Sequence, residues 1–332
     1  LYEAKLHIRG RNADAGDGQV FRRLSPLDGR VVTQAPAGGP RDALEAANGA
    51  AAAFALWRET PAEAKREVLA RASALLRARE AEMITVAGDE LGATPDWIRF
   101  NIEIAARVCA AAADVPERIA ARRVESETDG IASTLSRRPV GVVLAIAPWN
   151  AAITLAVRAI VWPLICGNTV VFKGSELCPK LHSLVVECFS EAGLPDGAIC
   201  SVIHGPDQAE PVVEALVAHP AVRRVNFTGS TRIGRRVAEI AAPHLKPCLL
   251  ELSDKAPLIV LEDADLEAAA QAATYGAFFN QGQICMATER VIAVGDIAEP
   301  LVARMAELTG ALAARRGGRG PGALISEAAA QR

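Results

Sequence analysis

Aromatic residues are scarce: Phe, Trp and Tyr together make up 4% of the 332 residues, so composition supports no aromatic ligand cage. Positive charge is not in excess either. Lys and Arg number 36 against 39 Asp and Glu, a net charge of −3, where a nucleic-acid binder would carry a basic stripe. Pairs such as Arg137-Arg138 and Arg235-Arg236 are too short to change that. The seven cysteines include no Cys-x-x-Cys pair and their number is odd. That excludes a zinc site and a secreted disulfide framework, and it points to a reducing cytoplasm with no metal. No secretory signal opens the chain. Pro139–Val157 lacks charge over a length that raises a membrane span, but Pro148-Trp149-Asn150 splits it as a loop would. It reads as a buried strand followed by a helix. No repeat of solenoid period is present.

What is present is an ordinary globular balance, 51% hydrophobic and 23% charged, with length for a large core or two packed domains. The chain begins on Leu1 rather than Met and stops at Arg332 within ISEAAAQR, which reads as a helix. Both ends look cut. The first third reads as helical. Leu44–Trp57 is Ala-rich, and Trp97–Ala113 forms another helical stretch. Between them, Thr60-Pro61-Ala62-Glu63 reads as a capping box ahead of Val68, Leu69, Ala72, Leu75 and Leu76 at helical spacing. Arg122–Arg138 is polar with a central Asp129-Gly130 turn signal, which fits either an exposed β-hairpin or a surface linker.

From Val140 the pattern changes. VGVVLAIAP, NTVVFKG, AICSVIHG, VRRVNFTGS and PCLLELSDKAPLIVL alternate with helical stretches. Five such runs predict an α/β fold, a doubly wound parallel sheet covered on both faces. Ligands in such sheets bind beyond the carboxyl ends of the strands. That directs attention to Pro148–Asn150, Lys173–Glu176, Gly205, Thr228–Ser230 and Glu251–Lys255. Asp263–Leu266 then opens a helix that runs to FFNQGQICMATER, and RVIAV reads as a further strand. Ala314–Gly322 is Gly-rich and basic and reads as mobile.

Each strand end carries a residue type suited to chemistry. Thr228–Gly234 ends a strand and opens a helix, whose free N–H groups suit a phosphate; an ordinary turn would read the same way. A lysine and a glutamate in Lys173-Gly174-Ser175-Glu176 could hold a nucleotide ribose, and the glutamate would repel a 2′-phosphate, favouring NAD over NADP. A solvated turn is the alternative. Asn150 offers a neutral amide to a developing oxyanion, or is a turn asparagine. Glu251, after CLL, is expected to be partly buried, with its pKa raised toward that of a general base, or else to be a paired structural carboxylate. Cys285 follows a Gln-Gly-Gln turn signal and is either packing or a nucleophile.

Taken together, PWN, KGSE, FTGS, EL-x-x-K and GQ-x-C, in this order and at these separations, resemble the aldehyde dehydrogenase superfamily. The resemblance covers the chain from about Leu6 to Arg332. NQGQICMATER looks most like the aromatic-aldehyde branch, the salicylaldehyde and vanillin dehydrogenases. It implies an NAD-binding domain over 1–121 and 139–250, an oligomerisation hairpin over 122–138 and a partial catalytic domain over 251–332. It implies Cys285 as nucleophile, passing through a thiohemiacetal and a thioester, with Asn150 and the Cys285 N–H holding the oxyanion. Glu251 would activate water. Lys173 and Glu176 would bind the adenosine ribose, and Gly229 and Ser230 would meet the pyrophosphate. Ile146, Trp149 and Leu252 would line the cofactor path. A small-molecule aldehyde is the implied partner, with no nucleic acid or membrane, and the parent protein is expected to be a homo-oligomer.

Two departures bear on activity. The family reads E-L-G-G-K where this chain reads Glu251-Leu252-Ser253-Asp254-Lys255. Lost glycines there would crowd the nicotinamide. The family chain also continues by roughly a third of its length, through an E-x-F-G-P motif whose glutamate binds the nicotinamide ribose. The alternative function is therefore a truncated, catalytically impaired nucleotide-binding fragment.

Overall fold

The structure is a computed structural model and describes residues 1–124, 131–313 and 322–331. The expected turn at Asp129-Gly130 and most of the Ala314–Gly322 tail lie outside the described residues. The α/β fold is as the sequence predicts. Five parallel strands follow in chain order: Val142–Ile146, Thr169–Lys173, Ile199–Val202, Val222–Gly229 and Cys248–Leu252. In space the fifth lies beside the fourth, then the first, second and third. The chain winds outward from the first strand in one direction, then returns and winds in the other. The crevice between the first and fourth strands is thus the topological switch point.

Alternation along these strands builds two cores. Ala145, Val170, Phe172 and Ile199 face one layer, packed by the helices Ala62–Ala78, Glu80–Leu91, Pro95–Ala112, Ala152–Ile165 and Pro179–Glu191. Leu144, Ile146, Val171, Val202, Val225 and Phe227 face the other, under Pro40–Glu59, Ala209–Ala218 and Thr231–Ala241. Consecutive side chains point to opposite faces, so a strand rich in apolar residues at every position must be covered twice. The uncharged stretch from Pro139 resolves into a strand and a helix, and no helix among the described residues is long and apolar enough to cross a membrane.

Several expectations need correction. The N-terminus is not helical: Tyr2–Glu3, Leu6–Ile8, Arg11–Ala13, Val20–Leu24 and Val31–Pro36 are strands, and Leu6–Ile8 extends the main sheet antiparallel to Ile199–Val202. Thr60 does not cap the following helix. Its hydroxyl donates back to the Leu56 carbonyl at 3.1 Å, and Pro61 occupies the cap without a side-chain bond. In PCLLELSDKAPLIVL the fifth strand ends at Glu251-Leu252, as expected, and a further strand follows. Cys248–Leu252 closes the main sheet, whereas Pro257–Val260 pairs in parallel with Arg290–Ala293 in a separate two-stranded sheet. Arg122–Val124 pairs antiparallel with Ser133–Leu135, which decides for the hairpin over the linker.

One buried carboxylate ties three elements together. Glu90 is fully buried and accepts from the Thr33 hydroxyl at 2.7 Å and from the Lys180 and Leu181 N–H groups at 2.9 and 3.0 Å. It thereby caps the Pro179–Glu191 helix, whose own cap residue Cys178 offers no capping side-chain bond. Burial pushes the Glu90 carboxyl up to about 7. The folded state then holds a proton that the unfolded chain releases near the ordinary glutamate value of 4.5. Stability is therefore greatest below that value and falls as pH rises through about 7. Glu90→Gln should flatten this dependence by about 1–3 kcal/mol between about pH 5 and 8, read from urea unfolding of both proteins.

Candidate active site

Two loops meet at the switch point. One follows the first strand and carries Pro148, Trp149 and Asn150. The other follows the helix Leu266–Phe278 and carries Asn280 to Cys285. Asn150 joins them: its side-chain amide donates to the Gln283 carbonyl at 2.9 Å. The Asn150 carbonyl in turn accepts from Trp97 Nε1 at 2.9 Å and from Asn280 Nδ2 at 3.3 Å. One amide hydrogen of Asn150 is spent on Gln283, leaving the second free to serve as a donor. Its Oδ1 is buried without a partner among the described residues.

The cysteine loop takes an uncommon path. Asn280, Gln281 and Gly282 all lie in the left-handed region, with φ of 49°, 56° and 72°. Left-handed backbone costs a non-glycine residue about 1–2 kcal/mol. Gly282 escapes that cost, and a Cβ there would sit 2.9 Å from the Ala277 carbonyl. Hydrogen bonds hold the turn in place. Gln283 Nε2 donates to the Asn280 and Ala323 carbonyls at 3.4 and 3.3 Å, and its Oε1 accepts from the Ile325 N–H at 2.9 Å. Residues from Ala323 onward are thereby pinned beside the cysteine.

Around this junction lies a cavity of about 320 Å³. It brings together Asn150, Trp149, Gly229, Ser230, Glu251, Leu252 and Cys285. Ser230 caps the helix Thr231–Ala241, accepting from the Ile233 N–H at 3.4 Å. Lys173, Glu176 and Ile146 are not on the cavity wall. Ile146 is buried in the core, in register with Lys173 across the first and second strands. Lys173 is also buried; desolvation lowers its pKa, and the Glu176 carboxylate works against that shift. Leu155, Ile284, Glu289 and Ile325 also line the cavity, and sequence reasoning passed over them. Leu155 sits one turn into a helix, and Ile325 arrives 40 residues after the cysteine, so no local pattern marks either.

Glu251 departs from its expected setting. It is exposed, not buried, because Cys248–Leu252 is the edge strand and its residues alternate in burial. The burial expected of it is therefore missing. The glycine argument for Ser253 and Asp254 also changes. Neither residue has positive φ among the described residues, so this backbone does not require glycine. Ser253 does line the cavity; Asp254 is exposed and does not. Lys255 forms an ion pair with Glu289 across the two-stranded sheet.

A model of the aldehyde dehydrogenase family matches residues 13–332. The chain belongs to that family. A vanillin dehydrogenase from Pseudomonas fluorescens is 47% identical over 306 residues, which is 92% of this chain and 63% of the relative. A salicylaldehyde dehydrogenase from Pseudomonas putida is 42% identical over 94% of this chain and 65% of its own length. The chain thus spans just under two thirds of these curated relatives. Among solved structures, a salicylaldehyde dehydrogenase from Pseudomonas putida G7, complexed with salicylaldehyde, superposes with a TM-score of 0.96 and 39% identity. That match covers all of this chain and 69% of the other. An NAD-dependent benzaldehyde dehydrogenase from Corynebacterium glutamicum gives a TM-score of 0.91 at 31% identity, over 98% of this chain and 71% of the other. The likeness to the aromatic-aldehyde branch that NQGQICMATER suggested is thus found in both comparisons.

Cysteine chemistry offers a direct check. Burial raises the thiols of Cys109 and Cys188 to about 12 and Cys200 to about 11, and it raises Cys166, Cys178 and Cys248 as well. Cys285 is half-buried at the cavity wall. Limiting iodoacetamide, read by peptide mass spectrometry, is expected to label Cys285 first. Prior labelling of Cys166 or Cys248 would contradict that placement.

Proposed function

We propose that this chain carries the cofactor-binding part and the nucleophile of an NAD-dependent aldehyde dehydrogenase that oxidises an aromatic aldehyde to its carboxylate. One observation carries the reading: a single cavity at the sheet's switch point holds Cys285, Asn150, Glu251 and the Ser230-capped helix start. The named relatives, which act on vanillin and salicylaldehyde, support the aromatic substrate class. A dinucleotide fits the groups present. The N-terminus of Thr231–Ala241 suits a pyrophosphate, and the Lys173 ammonium and Glu176 carboxylate suit ribose hydroxyls. A carboxylate in that place disfavours a 2′-phosphate, hence NAD.

The chain's residues divide the work as follows. The Cys285 thiolate adds to the aldehyde carbon, forming a C–S bond and driving the carbonyl electron pair onto oxygen. The free Asn150 amide hydrogen and the Cys285 backbone N–H donate to that oxygen as its charge develops. Bound NAD would supply the acceptor for the hydride that this adduct must lose. Glu251 takes a proton from water, which attacks the resulting thioester carbon and expels the Cys285 sulfur. An exposed Glu251 suits a base that reaches water readily, and the cavity wall keeps it on the same side as the sulfur. The exposed hairpin Arg122–Val124 and Ser133–Leu135 is the surface through which copies would pair, in a cytoplasmic homo-oligomer.

A second reading, an impaired nucleotide-binding fragment, is favoured by the two-stranded sheet. Its inner face packs Val260, Ala270 and Leu301, but Ile259 and Ile292 on the other face stand 61% and 42% exposed. The two readings separate in one assay, NADH formation with salicylaldehyde or benzaldehyde. Under the first, Cys285→Ala abolishes turnover, and Glu251→Gln gives a burst of about one NADH per chain followed by a rate roughly tenfold or more below the parent. Under the second, the folded parent forms no NADH and Ser253→Gly with Asp254→Gly restores none. A Cys285→Ala protein as fast as the parent would sink the first reading.

A further inference from the structure

The second strand ends at Lys173, and the next helix begins at Pro179. Five residues between them carry Glu176, so the shape of this short loop decides where both charges stand. His182 sits one turn into that helix, 2% exposed, with its ring against the loop. Its Nδ1 accepts the Ser175 N–H at 3.0 Å. A Cβ on Gly174 would lie 2.7 Å from the same nitrogen, so the ring packs directly on the glycine backbone. The ring also meets Phe172 edge-on, with centroids 5.1 Å apart.

From Ser175 the constraint passes onward. Its hydroxyl donates to Glu176 Oε2 at 3.5 Å and accepts from the Leu177 N–H at 3.2 Å, and its carbonyl accepts from the Cys178 N–H at 3.3 Å. An acceptor Nδ1 places the imidazole proton on Nε2. The Cys178 sulfur, at the cap of the same helix, lies 3.6 Å from Nδ1 and 3.7 Å from Nε2. Burial lowers the His182 pKa to about 3, so the ring is neutral and this tautomer persists at ordinary pH. Glu90 fixes the same helix through Lys180 and Leu181, leaving the ring little freedom to retreat.

We propose that His182 is a positioning residue that holds the Lys173–Glu176 loop against the Pro179–Glu191 helix and so fixes where the ribose-binding charges stand. The proposal rests on the reading above, in which Lys173 and Glu176 bind the cofactor ribose. A buried histidine that merely fills the core would leave nucleotide affinity untouched when replaced by an apolar residue of similar bulk.

The test compares His182→Leu with His182→Asn, whose side-chain oxygen can replace Nδ1 as acceptor. NAD affinity is measured by calorimetry, and amide exchange by mass spectrometry, on the full chain. His182→Leu should weaken NAD binding about tenfold, the value of one lost buried hydrogen bond. It should speed exchange at residues 174–177 and leave Cys285 alkylation unchanged. His182→Asn should recover most of the affinity. The proposal is overturned if His182→Leu binds NAD within about twofold of the parent, if both variants lose affinity equally, or if exchange rises across the whole sheet. A Glu176→Ala protein separates the underlying reading. If it binds NAD like the parent, the ribose assignment fails, while the exchange pattern still decides whether His182 holds the loop.

Discussion

Two hydrogen bonds at Asn150, from its amide to the Gln283 carbonyl and to its carbonyl from the Asn280 amide, join stretches of chain 133 and 130 residues apart. The meeting of the two loops depends on them. Asn150 belongs to the end of the first parallel strand, fixed by a doubly covered sheet. Cys285 belongs to a loop with no sheet of its own at that point. Without these bonds, the thiol and the amide would be parts of neighbouring but independently moving segments. With them, the Asn150 amide and the Cys285 thiol share one frame. A tenfold effect on rate corresponds to about 1.4 kcal/mol, so small losses of alignment are costly.

The left-handed turn at Asn280-Gln281-Gly282 follows from the same constraint. The helix Leu266–Phe278 arrives at the junction, and the chain must reverse sharply to set Gln283 against Asn150. Two non-glycine residues accept an unfavourable conformation to do so. Asn280 offsets part of that cost by donating to the Asn150 carbonyl. Trp97, from a helix on one side of the sheet, donates to that carbonyl as well and packs edge-on against Phe279 at 5.0 Å. The cysteine loop is therefore gripped from three directions before any ligand arrives, as preorganised catalysis requires.

The sheet was legible in the sequence because its central strands are buried at every position and helices interrupt them at regular intervals. Thr169–Lys173 is buried at all five positions, and such a run stands out. That Asn150, Ser230 and Glu251 gather was legible because they stand at strand ends, where ligands bind in this topology; Cys285 reaches them from a loop. What stayed hidden depends on tertiary context. The N-terminal strands are short, and residues such as Arg22 to Leu24 alternate without a strong apolar signal. Glu251 looks buried from CLLEL alone, yet its strand is an edge. Glu90 and His182 are charged or polar residues on helices, and nothing local reveals that each reaches across to hold another element.

Ser253 and Asp254 show where motif reasoning and backbone physics part. Glycine is required where φ is positive or where another atom approaches too closely for a Cβ. The chain between the edge strand and Pro257–Val260 meets the first condition nowhere. Thr231 donates its hydroxyl to the Ser253 carbonyl at 3.3 Å, so this stretch is also fastened to the capped helix. What remains of the family difference is chemical and spatial: a serine hydroxyl on the cavity wall and a carboxylate just outside it. A carboxylate facing solvent is screened and weakly felt. Both residues are exposed, but only Ser253 lies on the cavity wall, beside Gly229 and Cys285, so bulk there matters more. Any loss of cofactor fit from the ELSDK sequence should therefore reside at position 253 rather than 254.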